Sequence, residues 1–315
     1  MKLDLVHSSE MEEYLLTRMA FSPNGEEIAV GHKHFRSYAV ETGAARAEFA
    51  FADFLARLRY SNDGKFIAAA NVGDNHPATR GALAVFHADG REHFAVAAPA
   101  PVESCAFGDG AVYWNAQSAV AGAELDPRRD LPLLALPDLQ LRDLARSENG
   151  FTCFGREAVG SVRQVEGADL IFRKFRLLTC DPAGNVRNNI DLGIGAGVHA
   201  LSPDGKLLAV EMVDFKNNER HVSLIDAETG VEANLLSLEA NTLPVLEFGL
   251  GSEYFLCMKE DAEGDFNTLR VWRTSDLKLI GEARLDLAYH GLAACLEHST
   301  IACLGGGKLD VYALA

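Results

Sequence analysis

The sequence predicts an all-β fold: a seven-bladed β-propeller of four-stranded antiparallel blades, closed by the N-terminal strand joining the last blade. Three observations predict it. A turn-and-strand unit recurs at steps of about 39 to 55 residues. A second β-rich run with its own turn follows most copies, and the last copy is one strand short. Periods of about 20–50 residues mark stacked or radial repeat architectures, and four short antiparallel strands per unit, arranged radially, make propeller blades.

The first unit is read from FSPNGEEIAVG, starting at Phe21, which recurs as YSNDGKFIAAA from Tyr60 and LSPDGKLLAVE from Leu201. Each copy has an apolar residue, a tight polar turn, a glycine and a β-rich run. Weaker copies begin at Phe107, Arg146, Phe248 and Leu296, giving seven in all. The second signal reads SYAVETG at 37–43, LAVFHADG at 83–90, LLTCDPAG at 177–184, VSLIDAETG at 222–230 and LRVWRTSD at 269–276. Its turns carry glycine or an Asx residue, which supply positive φ or a side-chain cap. One strand before and one after each turn gives four per unit. Blades then start near residues 16, 56, 102, 140, 197, 243 and 290, and residues 1–315 form a single domain. The strand-like segment at residues 2–7 supplies the outer strand that the last blade lacks, which removes the open edges.

The SPNG and SPDG turns, the ETG turns and Val271-Trp272-Arg273 resemble the WD-repeat and related bacterial propeller superfamily across essentially the whole chain. The resemblance is to the architecture. Regular glycine-histidine and tryptophan-aspartate pairs are absent, so the buried histidine, serine or threonine, aspartate and tryptophan network of that family is not expected in most blades. Trp114 and Trp272 are the only tryptophans, so the resemblance implies no quinone cofactor, and no other cofactor is expected.

Composition limits the function classes. A formal net charge of −16 argues against binding a phosphate backbone, which needs lysine and arginine to displace counterions. Solubility is the plain reading of that charge; long-range attraction of a basic partner is the sharper one. The N-terminal residues do not read as a secretory signal, and no apolar run approaches the roughly 18 residues of a membrane span. Six scattered cysteines without CxxC spacing read as buried, reduced thiols of a cytoplasmic protein. A monomer is expected.

Connections between the second and third strands of a blade lie at the ends where functional loops gather. They are read at 32–37, 72–81, 155–169, 213–221 and 259–268, longer than the two to five residues a hairpin needs, and binding residues collect on such loops. Three carry a phenylalanine among polar residues, so the partner-binding candidates are His34, Phe35, Arg36, Arg80, Asp214, Phe215, Lys216, Asp265 and Phe266. A rigid exposed ring flanked by charge is what an interaction hot spot uses; the competing reading folds each ring back over its own blade.

Other patterns carry weaker chemistry. His32 and His34, two apart, would share one face of a strand and with Asp74 or His76 could ligate a metal, yet solvated or core histidines are the more ordinary account. Asp261 to Asp265 begins like a calcium loop but lacks the terminal glutamate, so a solvated acidic loop is expected there. GIGAGVH at 193–199 is a link between the fourth and fifth blades. No catalytic motif of the GxSxG, CxxC or P-loop kind is present. Two functions follow: an interaction module binding a protein partner through its loop-rich face, as scaffold, adaptor or inhibitor, or alternatively a propeller hydrolase or lactonase with a site at the central channel, with or without a metal.

Overall fold

The computed structural model describes the chain except residues 1–2, 11–17, 33, 52–54, 72–81, 98–101, 117, 137, 158, 166–167, 216, 218, 239–243, 250, 261–266, 286–290, 296–297, 306 and 315. Strand β1 is Leu3–Glu10. Blade 1 comprises β2 (Arg18–Phe21), β3 (Glu27–Gly31), β4 (Phe35–Ala39) and β5 (Ala45–Phe49). Blade 2 comprises β6 (Leu55–Tyr60), β7 (Phe66–Asn71), β8 (Ala82–His87) and β9 (Glu92–Ala97). Blade 3 comprises β10 (Cys105–Gly108), β11 (Ala111–Asn115), β12 (Ala119–Leu125) and β13 (Arg128–Ala135).

In blade 4, β14 (Leu139–Ser147) and β15 (Gly150–Glu157) are followed by an inserted hairpin of β16 (Ser161–Val165) and β17 (Ala168–Phe172), then by β18 (Phe175–Cys180) and β19 (Val186–Gly193). Blade 5 comprises β20 (Ala196–Leu201), β21 (Leu207–Asp214), β22 (Glu219–Asp226) and β23 (Glu232–Leu238). Blade 6 comprises β24 (Val245–Phe248), β25 (Tyr254–Glu260), β26 (Asn267–Arg273) and β27 (Lys278–Leu285). The last blade comprises β28 (Gly291–Cys295), β29 (Thr300–Gly305) and β30 (Lys308–Leu314). Its fourth strand is β1, antiparallel to β30 with Leu3 opposite Leu314 and Glu10 opposite Lys308. The fold is therefore a seven-bladed β-propeller whose last blade is completed by the N-terminal strand.

Two compact units are distinguished, Met1–Phe107 with Glu239–Ala315, and Gly108–Leu238. In the first, β2 packs against β6 and β28, and β24 against β28; in the second, β14 packs against β11 and β20. Apolar side chains fill two of these seams. Phe35, Phe49, Leu58, Ile67 and Phe86 fill the one between blades 1 and 2. Phe154, Leu177, Leu208 and Val210 fill the one between blades 4 and 5.

The three clearest repeat turns share one hydrogen-bond network. Ser22, Ser61 and Ser202 each donate from Oγ to the side-chain oxygen of Asn24, Asp63 and Asp204, at 2.7, 2.7 and 2.8 Å. Each serine Oγ also accepts the backbone N–H five residues on, at 2.9 Å in all three. The intervening Gly25, Gly64 and Gly205 lie at φ of +66°, +71° and +70°, where a side chain is strained. This network is why Ser-x-Asx-Gly recurs: it closes the hairpin joining the first two strands of a blade.

The structure corrects two local expectations. The segment 155–169 is not one long loop, because Glu157 still belongs to β15 and Ser161 pairs with Phe172 and Val165 with Ala168 in the inserted hairpin. The 32–37 loop is shorter than read, since β4 begins at Phe35.

Candidate functional site

The connections between second and third strands lie at the end of each sheet opposite the Ser-x-Asx-Gly turns. In blade 5, Val213 pairs with Arg220 and Asp214 with Glu219 at the last rungs of the β21–β22 ladder. The Asp214 carboxylate accepts bonds from Asn217 N at 3.4 Å and Asn217 Nδ2 at 2.9 Å, an Asx-type closure of the turn. Phe215 stands beside this closure with 67% of its surface exposed.

Beneath the turn lies a buried ion pair. Glu211, with its side chain only 5% exposed, accepts Arg220 Nε at 2.8 Å and Arg220 Nη2 on the same oxygen, Oε1. The other oxygen, Oε2, accepts the Val198 N–H at 3.2 Å. Gly197 makes this possible, because a Cβ there would lie 2.5 Å from Glu211 Oε2. The glycines of 193–199 thus serve the link from β19 to β20 and the close approach of a carboxylate. Removing one partner of a buried pair strands a charge, so the hairpin that carries Phe215 is held in one geometry.

Blade 4 presents a second anchored element. Glu157 ends β15 and accepts Arg176 Nε at 3.0 Å and Nη2 at 2.5 Å through Oε1. Gln140 Oε1 accepts both Arg156 Nε at 2.8 Å and Arg173 Nη1 at 3.4 Å. Lys174 Nζ donates to Asp191 at 2.6 Å, a bond that, with the Gly193 N–H, holds the Asp191 carboxyl below the usual aspartate value. These bonds fasten the base of the inserted hairpin, and Val159 at its entry is 83% exposed.

Blade 1 behaves differently. Phe35 is 1% exposed: its ring stacks on Phe49 at 4.3 Å and meets Phe86 edge-on at 5.6 Å. Phe35 is therefore a core side chain rather than an exposed anchor, and its expected role as a contact is corrected. His34, in the turn before β4, and Arg36 are exposed; the change from buried Phe35 to exposed Arg36 is the alternation of a strand. Arg36 Nη2 donates to Glu48 at 3.2 Å. His32 is buried and His34 exposed, with a 3.3 Å backbone bond from His32 N to His34 O. The two histidines occupy a turn rather than one strand face, which overturns the chelating geometry expected of them.

Arg80, Lys216, Asp265 and Phe266 lie outside the described residues, as do Asp74, His76 and the 261–265 acidic stretch. Of the nine candidates, the structure brings Asp214 and Phe215 together at one tip and His34 and Arg36 onto one exposed turn and strand. Sequence reading missed Glu211, Arg220, Gln140 and Val159. Glu211 and Arg220 sit diagonally across a hairpin, a relation that appears only once the register is known.

No protein-family model matches the sequence, and no curated protein does. Solved structures do match. A structure of Kuenenia stuttgartiensis hydrazine synthase aligns over 95% of this chain and 95% of that chain, with 13% identity and a TM-score of 0.69. The Myceliophthora thermophila Cps50 (Swd1) β-propeller domain aligns over 100% of both, with 11% identity and a TM-score of 0.69. A chain of the mitotic checkpoint complex aligns over 99% of this chain and 94% of that chain, with 12% identity and a TM-score of 0.67. The likeness is one of fold. It places the chain among β-propeller architectures, as the WD-repeat-like turns imply, and assigns no activity.

Proposed function

We propose that this chain is a protein-interaction module that holds a protein partner on the loop-bearing ends of its blades, with Phe215 as an anchor. The observation that carries the reading is a phenylalanine two-thirds exposed on a hairpin fixed by a buried ion pair. A rigid aromatic side chain buries a large area on binding at little entropic cost. Asp214 precedes Phe215 in the same turn, and Lys216 follows it in sequence; His34 and Arg36, exposed on blade 1, and Arg80, Asp265 and Phe266 are further contact candidates, each taken by itself.

The partner is basic in this reading, since a chain of net charge −16 attracts cationic surfaces and repels acidic ones. It is a protein rather than a nucleic acid or a membrane, and the chain acts as a monomer. Six cysteines that are free and buried fit a reducing, cytoplasmic setting. One structural neighbour was itself solved as part of a multiprotein complex, a use to which propellers lend themselves.

The test is affinity capture from the native cell extract with wild-type protein and Phe215→Ala. A partner recovered by the wild type and reduced at least tenfold with Phe215→Ala supports the reading. Equal recovery by both, or recovery of nothing by either, overturns it.

A further inference from the structure

A second feature lies in the same unit as Phe215, between the outer strands of blades 3 and 4. A cavity of about 560 Å³ opens there, with Leu136, Leu139 and Leu178 in its wall and Val159 and Val186 at its mouth. The three leucines are buried, while Val159 is 83% and Val186 50% exposed. Leu133, on β13 just before this wall, is exposed as well. Exposed aliphatic side chains around one cleft differ from singly scattered ones, which need no explanation, and the volume falls within the range of about 300–1,000 Å³ typical of ligand-binding clefts.

Charge selects the occupant. Among the described residues one cation lines the cleft, Arg176, and its guanidinium is committed: Nε and Nη2 donate to Glu157 Oε1 and Nη1 to Asn189 Oδ1 at 3.1 Å. The described carboxylates that line it are Glu157 and Asp138. Glu157 meets Arg176 through Oε1, and Asp138, exposed at the rim, has no hydrogen bond or ion pair among the described residues. The polar capacity left over is thus acceptor and negative. An acidic ligand would find a satisfied arginine and an unanswered carboxylate, whereas a lysine or arginine would find Asp138 and the second oxygen of Glu157.

We infer that this cleft seats an extended segment of the basic protein partner, an aliphatic side chain filling the cavity and an adjacent lysine or arginine meeting Asp138 and Glu157. The inference rests on the interaction-module reading and adds to it a second contact, lined by blades 3 and 4, with stated side-chain chemistry. Val159 and Val186 supply apolar contact on either side of the entering chain. The Glu157–Arg176 pair fixes the wall, so the site is formed before the segment arrives and loses little entropy on binding.

The experiment uses the full-length chain, immobilised, and a dodecapeptide phage library, followed by fluorescence-polarisation titration of the enriched synthetic peptide. Wild type, Val159→Asp, Asp138→Lys, Phe215→Ala and Lys206→Ala are compared, each checked by its melting temperature; all four changed residues are exposed, so folding is retained. The expected consensus places Leu, Ile, Val or Met beside Lys or Arg. Its affinity falls at least tenfold with Val159→Asp and with Asp138→Lys and is unchanged with Lys206→Ala. No enrichment, an acidic consensus, or equal affinity for the cleft variants overturns the inference. Capture of the native partner separates the two ideas: loss with Phe215→Ala but full retention by both cleft variants removes the cleft and leaves the interaction module standing.

Discussion

Arg220→Met isolates the ion pair that holds the Phe215 hairpin. The Glu211 side chain is 5% exposed and the Arg220 side chain 17%, so the substitution leaves a carboxylate away from water with one remaining bond named above, from the Val198 N–H. Breaking a buried pair by removing one partner costs about 3–5 kcal/mol. At about 2 °C per kcal/mol for a chain of this size, the midpoint falls by about 6–10 °C in calorimetry. Glu211→Met with Arg220→Met removes both charges and recovers most of the loss, because replacing a buried pair by apolar side chains is often near neutral. The double-mutant cycle should therefore return a coupling of about 2 kcal/mol or more. A single-variant loss below about 1 kcal/mol, or a double variant as unstable as the single one, would refute a hairpin fixed by this pair.

Other outcomes follow from the same structure. Ser202→Ala removes a hydroxyl that bonds both Asp204 and the Leu207 N–H, leaving a half-buried donor unmet; urea unfolding should show a loss of about 1–2 kcal/mol. Phe35→Ala should cost about 3–5 kcal/mol by cavity formation and Phe215→Ala less than about 0.5 kcal/mol, so thermal melts of the two variants separate core from contact. Burial pushes the Cys257 thiol up to about 12 and the Cys303 thiol higher still; native protein should leave both unmodified by a thiol reagent at pH 8, and unfolding should expose them. Asp181 is held below the usual aspartate value by Asn185, and Asp191 by Lys174. Depressed carboxylates stabilise the fold fully above the ordinary value near pH 4 and lose that contribution as the pH falls through their lowered values. Asp181→Asn should therefore flatten the acid limb of a stability–pH curve.

The fold was legible because its signal is local. Ser-x-Asx-Gly announces a hairpin through bonds made within six residues, and each copy forms the same network at Ser22, Ser61 and Ser202. The missing fourth strand was legible by counting, and β1 fills it. Phe35 was misread because a phenylalanine between histidine and arginine looks like a loop residue. Yet Phe35, Ser37 and Ala39 are buried while Arg36 is exposed, the period of two that marks a strand. The inserted hairpin had its own signal: SVRQV and ADLIF are strand-like runs separated by Glu166-Gly167, a two-residue turn pattern. The site's supports were not legible, since Glu211 reaches Arg220 across a hairpin, Val198 from a neighbouring strand, and the backbone only where Gly197 permits. Such contacts depend on register, which single residues do not carry.

The most direct test of the account places a photo-crosslinking phenylalanine analogue at position 215 and, separately, at Lys206, exposed in the turn at the other end of β21. Illumination in living cells followed by mass spectrometry reads which proteins are attached. The account predicts a discrete adduct with a basic protein from position 215 and none of that protein from position 206. Absence of any adduct at 215, or the same adducts from both positions, would contradict it.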